Sequence, residues 1–137
     1  MQAVNPSSPV VPSHASSETL AIIIPCFNEA EALPQLAQRL PEVVDKLANR
    51  YAKVDVFFVD DGSTDDTLAE LRRRFASDPR FHVLVHEKNR GLGAALRTGF
   101  AASHSDVVVT TDADGTYEFG EILGMTALLS SDVDIVT

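Results

Sequence analysis

Asp112-Ala113-Asp114 is the segment with the most pointed chemistry in this chain. Two carboxylates one residue apart can close on a single divalent cation. The apolar run Val107-Val108-Val109-Thr110-Thr111 ahead of them predicts a strand that delivers both to its C-terminal end. Open α/β folds hold their ligands at that edge, and a cation there lets an acidic site accept a diphosphate that it would otherwise repel.

Three further segments also follow apolar runs. In Pro25-Cys26-Phe27-Asn28-Glu29, Phe27 offers a flat face for stacking, and Asn28 and Glu29 offer hydrogen-bonding groups suited to a base or ribose. The plain alternative is a strand-to-helix turn in which Asn28 caps the helix. In Asp60-Asp61-Gly62-Ser63-Thr64-Asp65-Asp66, the first two carboxylates are candidate acceptors for ribose hydroxyls or a base N–H. Gly62 permits a tight turn, and Asp65 and Asp66 suit the first turn of a helix, where the macrodipole favours acids. Lys88-Asn89-Arg90-Gly91-Leu92-Gly93-Ala94-Ala95 lacks the third glycine of a dinucleotide fingerprint, since Leu96 stands there. It reads instead as a Gly-rich entry to a helix, with Lys88 and Arg90 near enough to offset phosphate charge. Packing of small residues against a sheet is the bland alternative for Ala94 and Ala95.

Asp-x-Asp-Gly-Thr also opens the active site of haloacid-dehalogenase-like phosphatases, with Asp112 as nucleophile and Asp114 as general acid/base. That chemistry needs a downstream lysine and a further acidic pair. The stretch after Asp114 contains no Lys or Arg, so the set is incomplete.

These segments need elements to position them. Leu20–Ile24, stopped by Pro25, Val54–Val59, Phe81–Val85 and Val107–Thr111 read as buried strands, and Val133–Val136 as the start of a fifth. Between them, Leu33, Leu36, Leu40, Val43, Val44 and Leu47 recur at helical spacing, with Pro41 expected to kink or split that helix. Ser63 and Thr64 are candidate caps for a second helix with the stripe Leu68, Leu71 and Phe75. Gly91–Ala102 and the set Ile122, Met125, Leu128 and Leu129 suggest two more. Alternation of this kind implies an α/β, Rossmann-like fold with a mainly parallel sheet and flanking helices. Residues 1–18, rich in Pro and Ser, read as a flexible tail, leaving 19–137 as the domain.

The totals exclude several classes. Twenty acidic against eleven basic side chains give a net charge of −9, which argues against nucleic-acid binding. A single cysteine, Cys26, allows no internal disulfide and favours a cytoplasmic setting. The four histidines show no ligand spacing and read as structural or solvated. No apolar run approaches the ~20 residues needed to span a bilayer.

In this order, Pro25-x-Phe27-Asn28-Glu29, Val59-Asp60-Asp61-Gly62-Ser63-Thr64-Asp65, Asn89-x-Gly91-x-Gly93-Ala94 and Asp112-x-Asp114 resemble family-2 glycosyltransferases of the GT-A fold. The nearest subgroup makes polyprenyl-phosphate sugars, dolichyl-phosphate mannose synthase among them. The resemblance implies that Pro25, Phe27, Asn28, Glu29, Asp61 and Gly91, with Asp112 and Asp114, bind a UDP- or GDP-linked sugar. It implies that Asp112 and Asp114 hold Mg²⁺ or Mn²⁺ across the diphosphate, and that the sugar passes with inversion to a polyprenyl phosphate or a saccharide. Some members carry a Gln metal ligand two residues past the second Asp, where this chain has Thr116. The family fold continues past Thr137, so a donor-binding half is expected, C-terminally incomplete and with the catalytic base beyond Thr137. A peripheral position at the cytoplasmic face of a membrane and self-association through an open sheet edge are further expectations. A non-catalytic nucleotide- or partner-binding module is the alternative from another class.

Overall fold

The computed structural model describes residues 16–114 and 120–129. Along them run β1 (Ser16–Cys26), α1 (Leu33–Leu47), β2 (Tyr51–Asp61), α2 (Thr67–Phe75), β3 (Phe81–His86), α3 (Leu92–Ala102), β4 (Val107–Thr110) and α4 (Gly120–Ala127). The expected alternation is present. Val133–Val136 and Thr116 lie outside the described residues, as do residues 1–15 of the expected tail, whereas Ser16 to Glu18 belong to β1.

The four strands form one sheet in the order β3-β2-β1-β4, and every pairing is parallel. All four C-terminal ends therefore share one edge. The order reverses direction between β1 and β4, and that switch point is where a sheet of this type opens a crevice.

Alternate residues of β1 feed two cores. Leu20, Ile22 and Ile24 pack with the buried faces of α1 and α2, where Phe58, Phe75 and Phe81 form an aromatic cluster with centroids 4.5 and 5.1 Å apart at successive contacts. Ile23 faces the other way, with Val59 and Ala95 of α3. The sheet is thus covered on both faces, which explains why β1 is apolar at every position from Leu20 to Ile24. Gly99 lets α3 sit this close: a Cβ there would come within 2.5 Å of the Ile23 side chain.

Two prolines behave differently from expectation. β1 continues through Pro25 to Cys26, and Pro25 pairs in register with Val59. The amide of Thr111 donates to the carbonyl of Ile23, so Ile23 and, by alternation, Pro25 direct their backbone groups toward β4. Pairing with β4 ends at Ile23, so the missing N–H of Pro25 removes no ladder bond. Helix α1 likewise runs unbroken through Pro41. A mid-helix proline costs about 3 kcal/mol. The six buried side chains of α1 each contribute roughly 1.5–3 kcal/mol, enough to keep one helix.

Strand β4 is held in place at its start. Thr19 donates to Asp106 Oδ2 through its amide at 2.9 Å and its hydroxyl at 3.2 Å, and the Asp106 amide donates to Thr19 Oγ1 at 3.1 Å. This clamp sets the β4 register, and with it the point at which Asp112 and Asp114 leave the sheet.

Candidate nucleotide-sugar site

Each chemistry-bearing segment leaves the same sheet edge. Phe27 to Glu29 follow β1, Asp61 ends β2, His86 ends β3, and Asp112 and Asp114 follow β4. The segments after β1 and β4, which carry Phe27 and Asp112, leave neighbouring strands at the switch point. Phe27 is 45% exposed, so its ring is available for stacking. Asp112 and Asp114 are exposed while Ala113 between them is buried in the core, an arrangement that presents both carboxylates outward on one anchored turn.

The negative charge concentrated here is visible at Glu29. Burial pushes its carboxyl above the ordinary glutamate value, and the charges of Asp114, Asp112 and Asp65 push it further the same way. A cation at the Asp112/Asp114 pair would relieve that repulsion. Among the described residues no group of three or more His, Cys, Asp or Glu side chains is arranged to enclose a metal ion. The pair can therefore supply two carboxylates, and a diphosphate and water are the natural source of remaining ligands.

Asn28 has a different setting from either sequence expectation. It adopts a left-handed backbone, φ 53°, and its Oδ1 accepts from the Thr64 amide at 2.8 Å, the Thr64 hydroxyl at 3.3 Å and the Asp65 amide at 3.3 Å. Its own amide donates to Ser63 Oγ at 3.0 Å. Ser63 and Thr64 thus serve this bridge and do not cap α2. Asp66 is the N-cap residue of α2, without a side-chain cap among the described residues. The helix-start role falls to Asp65, whose Oδ1 accepts from the Thr67 amide at 2.9 Å and from the Thr67 hydroxyl. Two more strands of the bridge run from Glu29 N–H to Thr67 Oγ1 at 2.9 Å and from Ala30 N–H to Asp65 Oδ2 at 3.3 Å. The β1–α1 and β2–α2 loops are one knitted body. Asn28→Ala is expected to cost about 1–3 kcal/mol through lost hydrogen bonds and left-handed strain, with Asn28→Asp closer to wild type because it keeps the acceptor. Urea unfolding of the two variants checks this ordering.

Asp61 is occupied from within. Its Oδ1 accepts from His86 Nδ1 at 2.7 Å and the Arg90 amide at 2.9 Å, and its Oδ2 accepts from the Gly91 amide at 2.9 Å. One lone pair of Oδ2 is left for a ligand. Gly91 is the N-cap of α3 with φ 95°, a conformation that glycine adopts without strain. Lys88 and Arg90 are exposed on the same loop. Burial alone would raise the Asp61 carboxyl, but the hydrogen bonds from His86, Arg90 and Gly91 outweigh it and hold the group below the ordinary aspartate value. A lowered folded-state value means stability that is present above the unfolded value of 3.8 and is lost as pH falls below it. Asp61→Asn is therefore expected to be destabilised at neutral pH, with the gap to wild type narrowing in acid. Chemical unfolding from about pH 3 to pH 7 measures it.

His86 and its second partner, Thr98 Oγ1 at 2.7 Å from Nε2, were not singled out by sequence. The usable signal was positional: His86 ends the third apolar run, in register with Asp61. An open cleft of about 410 Å³ adjoins this side of the edge, lined by Gly62, Ser63, Arg72, Val85 and His86 among others.

The parallel four-stranded sheet with helices on both faces matches that of GT-A glycosyltransferases. The model of glycosyl transferase family 2 matches residues 21–137, and the chain belongs to that family. Among curated relatives, it is 34% identical over 118 residues to an undecaprenyl-phosphate 4-deoxy-4-formamido-L-arabinose transferase of Pseudomonas syringae, covering 85% of this chain and 34% of that one. It is 35% identical over 121 residues to the enzyme of the same name from Sodalis glossinidius, covering 87% and 36%. The chain thus spans about a third of the length of these relatives. Among solved structures, a mannosyltransferase of Pyrobaculum calidifontis in complex with GDP-Man and Mn²⁺ superposes with TM-score 0.59 at 29% identity, covering 69% of this chain and 27% of that one. TarS of S. aureus in complex with UDP-GlcNAc gives TM-score 0.62 at 20% identity, covering 80% and 30%, and supports the fold alone. Family membership sets aside a phosphatase with Asp112 as nucleophile.

Proposed function

We propose that this chain forms the donor-binding portion of a metal-dependent, inverting glycosyltransferase that uses a UDP- or GDP-linked sugar. The observation that carries this reading is the placement of Phe27 to Glu29 and Asp112 to Asp114 on opposite sides of the β1/β4 switch point. Pro25 and Phe27 line the base, with Glu29 and the remaining lone pair of Asp61 accepting from base or ribose. Asn28 acts by fixing the loop that presents Phe27. Gly91 opens α3, whose unpaired first-turn N–H groups, with Lys88 and Arg90, favour phosphate oxygens. Asp112 and Asp114 fit Mg²⁺ or Mn²⁺, which would stabilise negative charge on the departing nucleotide diphosphate.

In the transfer, an acceptor oxygen attacks the anomeric carbon from the face opposite the diphosphate, the glycosidic bond to phosphate breaks, and a base removes the acceptor proton if a hydroxyl attacks. The names of the curated relatives support a polyprenyl phosphate as acceptor, with a saccharide as the other candidate. A phosphate acceptor enters already ionised. Among the described residues no helix is long and apolar enough to cross a membrane, and a peripheral position at the cytoplasmic face suits a lipid-linked acceptor.

Calorimetric titration with UDP- and GDP-sugars, with and without Mn²⁺, tests the reading. Metal-enhanced binding of one nucleotide class is the expected result. Identical weak binding in all four titrations would remove it.

A further inference from the structure

His86 is almost fully buried, with 5% of its side chain exposed, beside an Asp61 side chain that is 6% exposed. Both ring nitrogens are engaged, Nδ1 with Asp61 Oδ1 and Nε2 with Thr98 Oγ1, each at 2.7 Å. The carboxylate can only accept, so Nδ1 carries the proton. In the neutral ring Nε2 then accepts from the Thr98 hydroxyl, which anchors the far side of the ring while Asp61 sets the tautomer. The same Asp61 oxygen that receives His86 also receives the Arg90 amide, while the other receives Gly91. The loop that carries Lys88 and Arg90 into α3 therefore hangs from one carboxylate, and the orientation of that carboxylate is set by the imidazole.

We propose that His86, held by Thr98, is a positioning residue that fixes the Asp61 carboxylate and thereby the Lys88–Gly91 loop and the start of α3 for the donor diphosphate. The proposal rests on the donor-binding function above. It assigns His86 no contact with substrate and no proton transfer. Without the Nδ1 donor, the Asp61 carboxylate can rotate, and the two loop amides lose their fixed acceptor. A charge-assisted hydrogen bond of this kind, once lost, is expected to weaken donor binding about tenfold.

Two amide substitutions separate the two ring nitrogens. The side-chain nitrogen of His86→Asn falls near Nδ1 and keeps the donor to Asp61. That of His86→Gln falls near Nε2 and keeps only the Thr98 side. Each variant forfeits one buried hydrogen bond, so a purely structural role predicts similar melting temperatures and similar donor affinity for the pair. The proposal predicts that His86→Asn stays within about threefold of wild type while His86→Gln loses about tenfold, measured by calorimetry with the nucleotide sugar that the wild type binds. Equal affinities for the two variants would overturn it.

A ligand-free readout keeps this test separate from the functional reading. In the ¹⁵N spectrum, the Arg90 and Gly91 amides are expected to keep their wild-type positions in His86→Asn and to shift or broaden in His86→Gln. Unmoved amides in His86→Gln would overturn the positioning role even if a donor binds. Failure of the wild type to bind any nucleotide sugar would overturn the donor reading and the link to it, leaving the amides to decide the positioning role alone. Imidazole ¹⁵N shifts add a third check. The wild type should show the Nδ1–H tautomer set by the Asp61 carboxylate, and Thr98→Val should keep it, whereas a wild-type Nε2–H tautomer would contradict the hydrogen-bond assignment.

Discussion

Gly62→Ala is expected to lower the free energy of unfolding by about 2–4 kcal/mol. Gly62 adopts φ 69°, where an alanine is strained. Its hypothetical Cβ would lie 2.2 Å from the carbonyl carbon of Lys88 and 2.3 Å from the amide nitrogen of Asn89. Both are backbone atoms, so no side-chain rotation relieves the contact. The loop itself would have to retreat, pulling the Arg90 and Gly91 amides from Asp61. Strain of roughly 1 kcal/mol and overpacking of about 1–3 kcal/mol give the total. Gly91→Ala is the informative comparison. It meets the same backbone penalty at φ 95° but no atom within 4 Å, so it should cost distinctly less. Urea unfolding of both variants checks the difference, and equal losses would show that the close approach of the two loops is unimportant.

The second large effect is on ligand binding. In Asp112→Ala/Asp114→Ala, the metal-enhanced part of nucleotide-sugar affinity is expected to vanish, a fall on the order of a hundredfold, whereas metal-free affinity changes little. The apo protein should not be destabilised by the change. Glu29 is held above its ordinary value by burial and then by Asp114 and Asp112. A raised folded-state value means stability lost as pH rises through it, so removing those two charges shrinks that loss. At neutral pH the double variant is therefore expected to melt at or above the wild-type temperature without metal, and below it in saturating Mn²⁺. That reversal distinguishes a lost metal site from a misfolded one. Persistence of the Mn²⁺ enhancement in the variant would sink the assignment of the pair.

Strand identity and the common edge of the chemistry-bearing segments were legible in the sequence because both rest on local pattern. Continuous apolar runs mark strands buried on two faces, and the residues just after each run had to meet at one edge. Strand length was less legible. β2 starts at Tyr51 and β1 at Ser16, since parallel pairing continues past the apolar stretch into residues of mixed polarity. Pro25 misled because a rule about hydrogen-bond loss applies only where a partner exists to be lost, and Pro41 because the buried face of α1 outweighs the bond that the helix forgoes. The partners of Asn28, Asp61 and His86 were invisible for another reason. Asn28 meets Thr64 across 36 positions and Asp61 meets His86 across 25, and no spacing rule reaches so far along the chain. A terminal Asn reads locally as a helix cap, yet here its side chain serves the neighbouring loop.

The cross-linking of these loops carries a consequence for divergence. Surface loops ordinarily absorb insertions and deletions, and that is how many folds acquire new specificities. Here one loop is tied to the next through Asn28 and Asp65, and that one to the third through Gly62 and Asp61. Adding or removing a residue in any of the three would break ties in two. Their lengths are interlocked, so this edge can change what it grips only by exchanging side chains in place, at positions such as the exposed Phe27, Lys88 and Arg90.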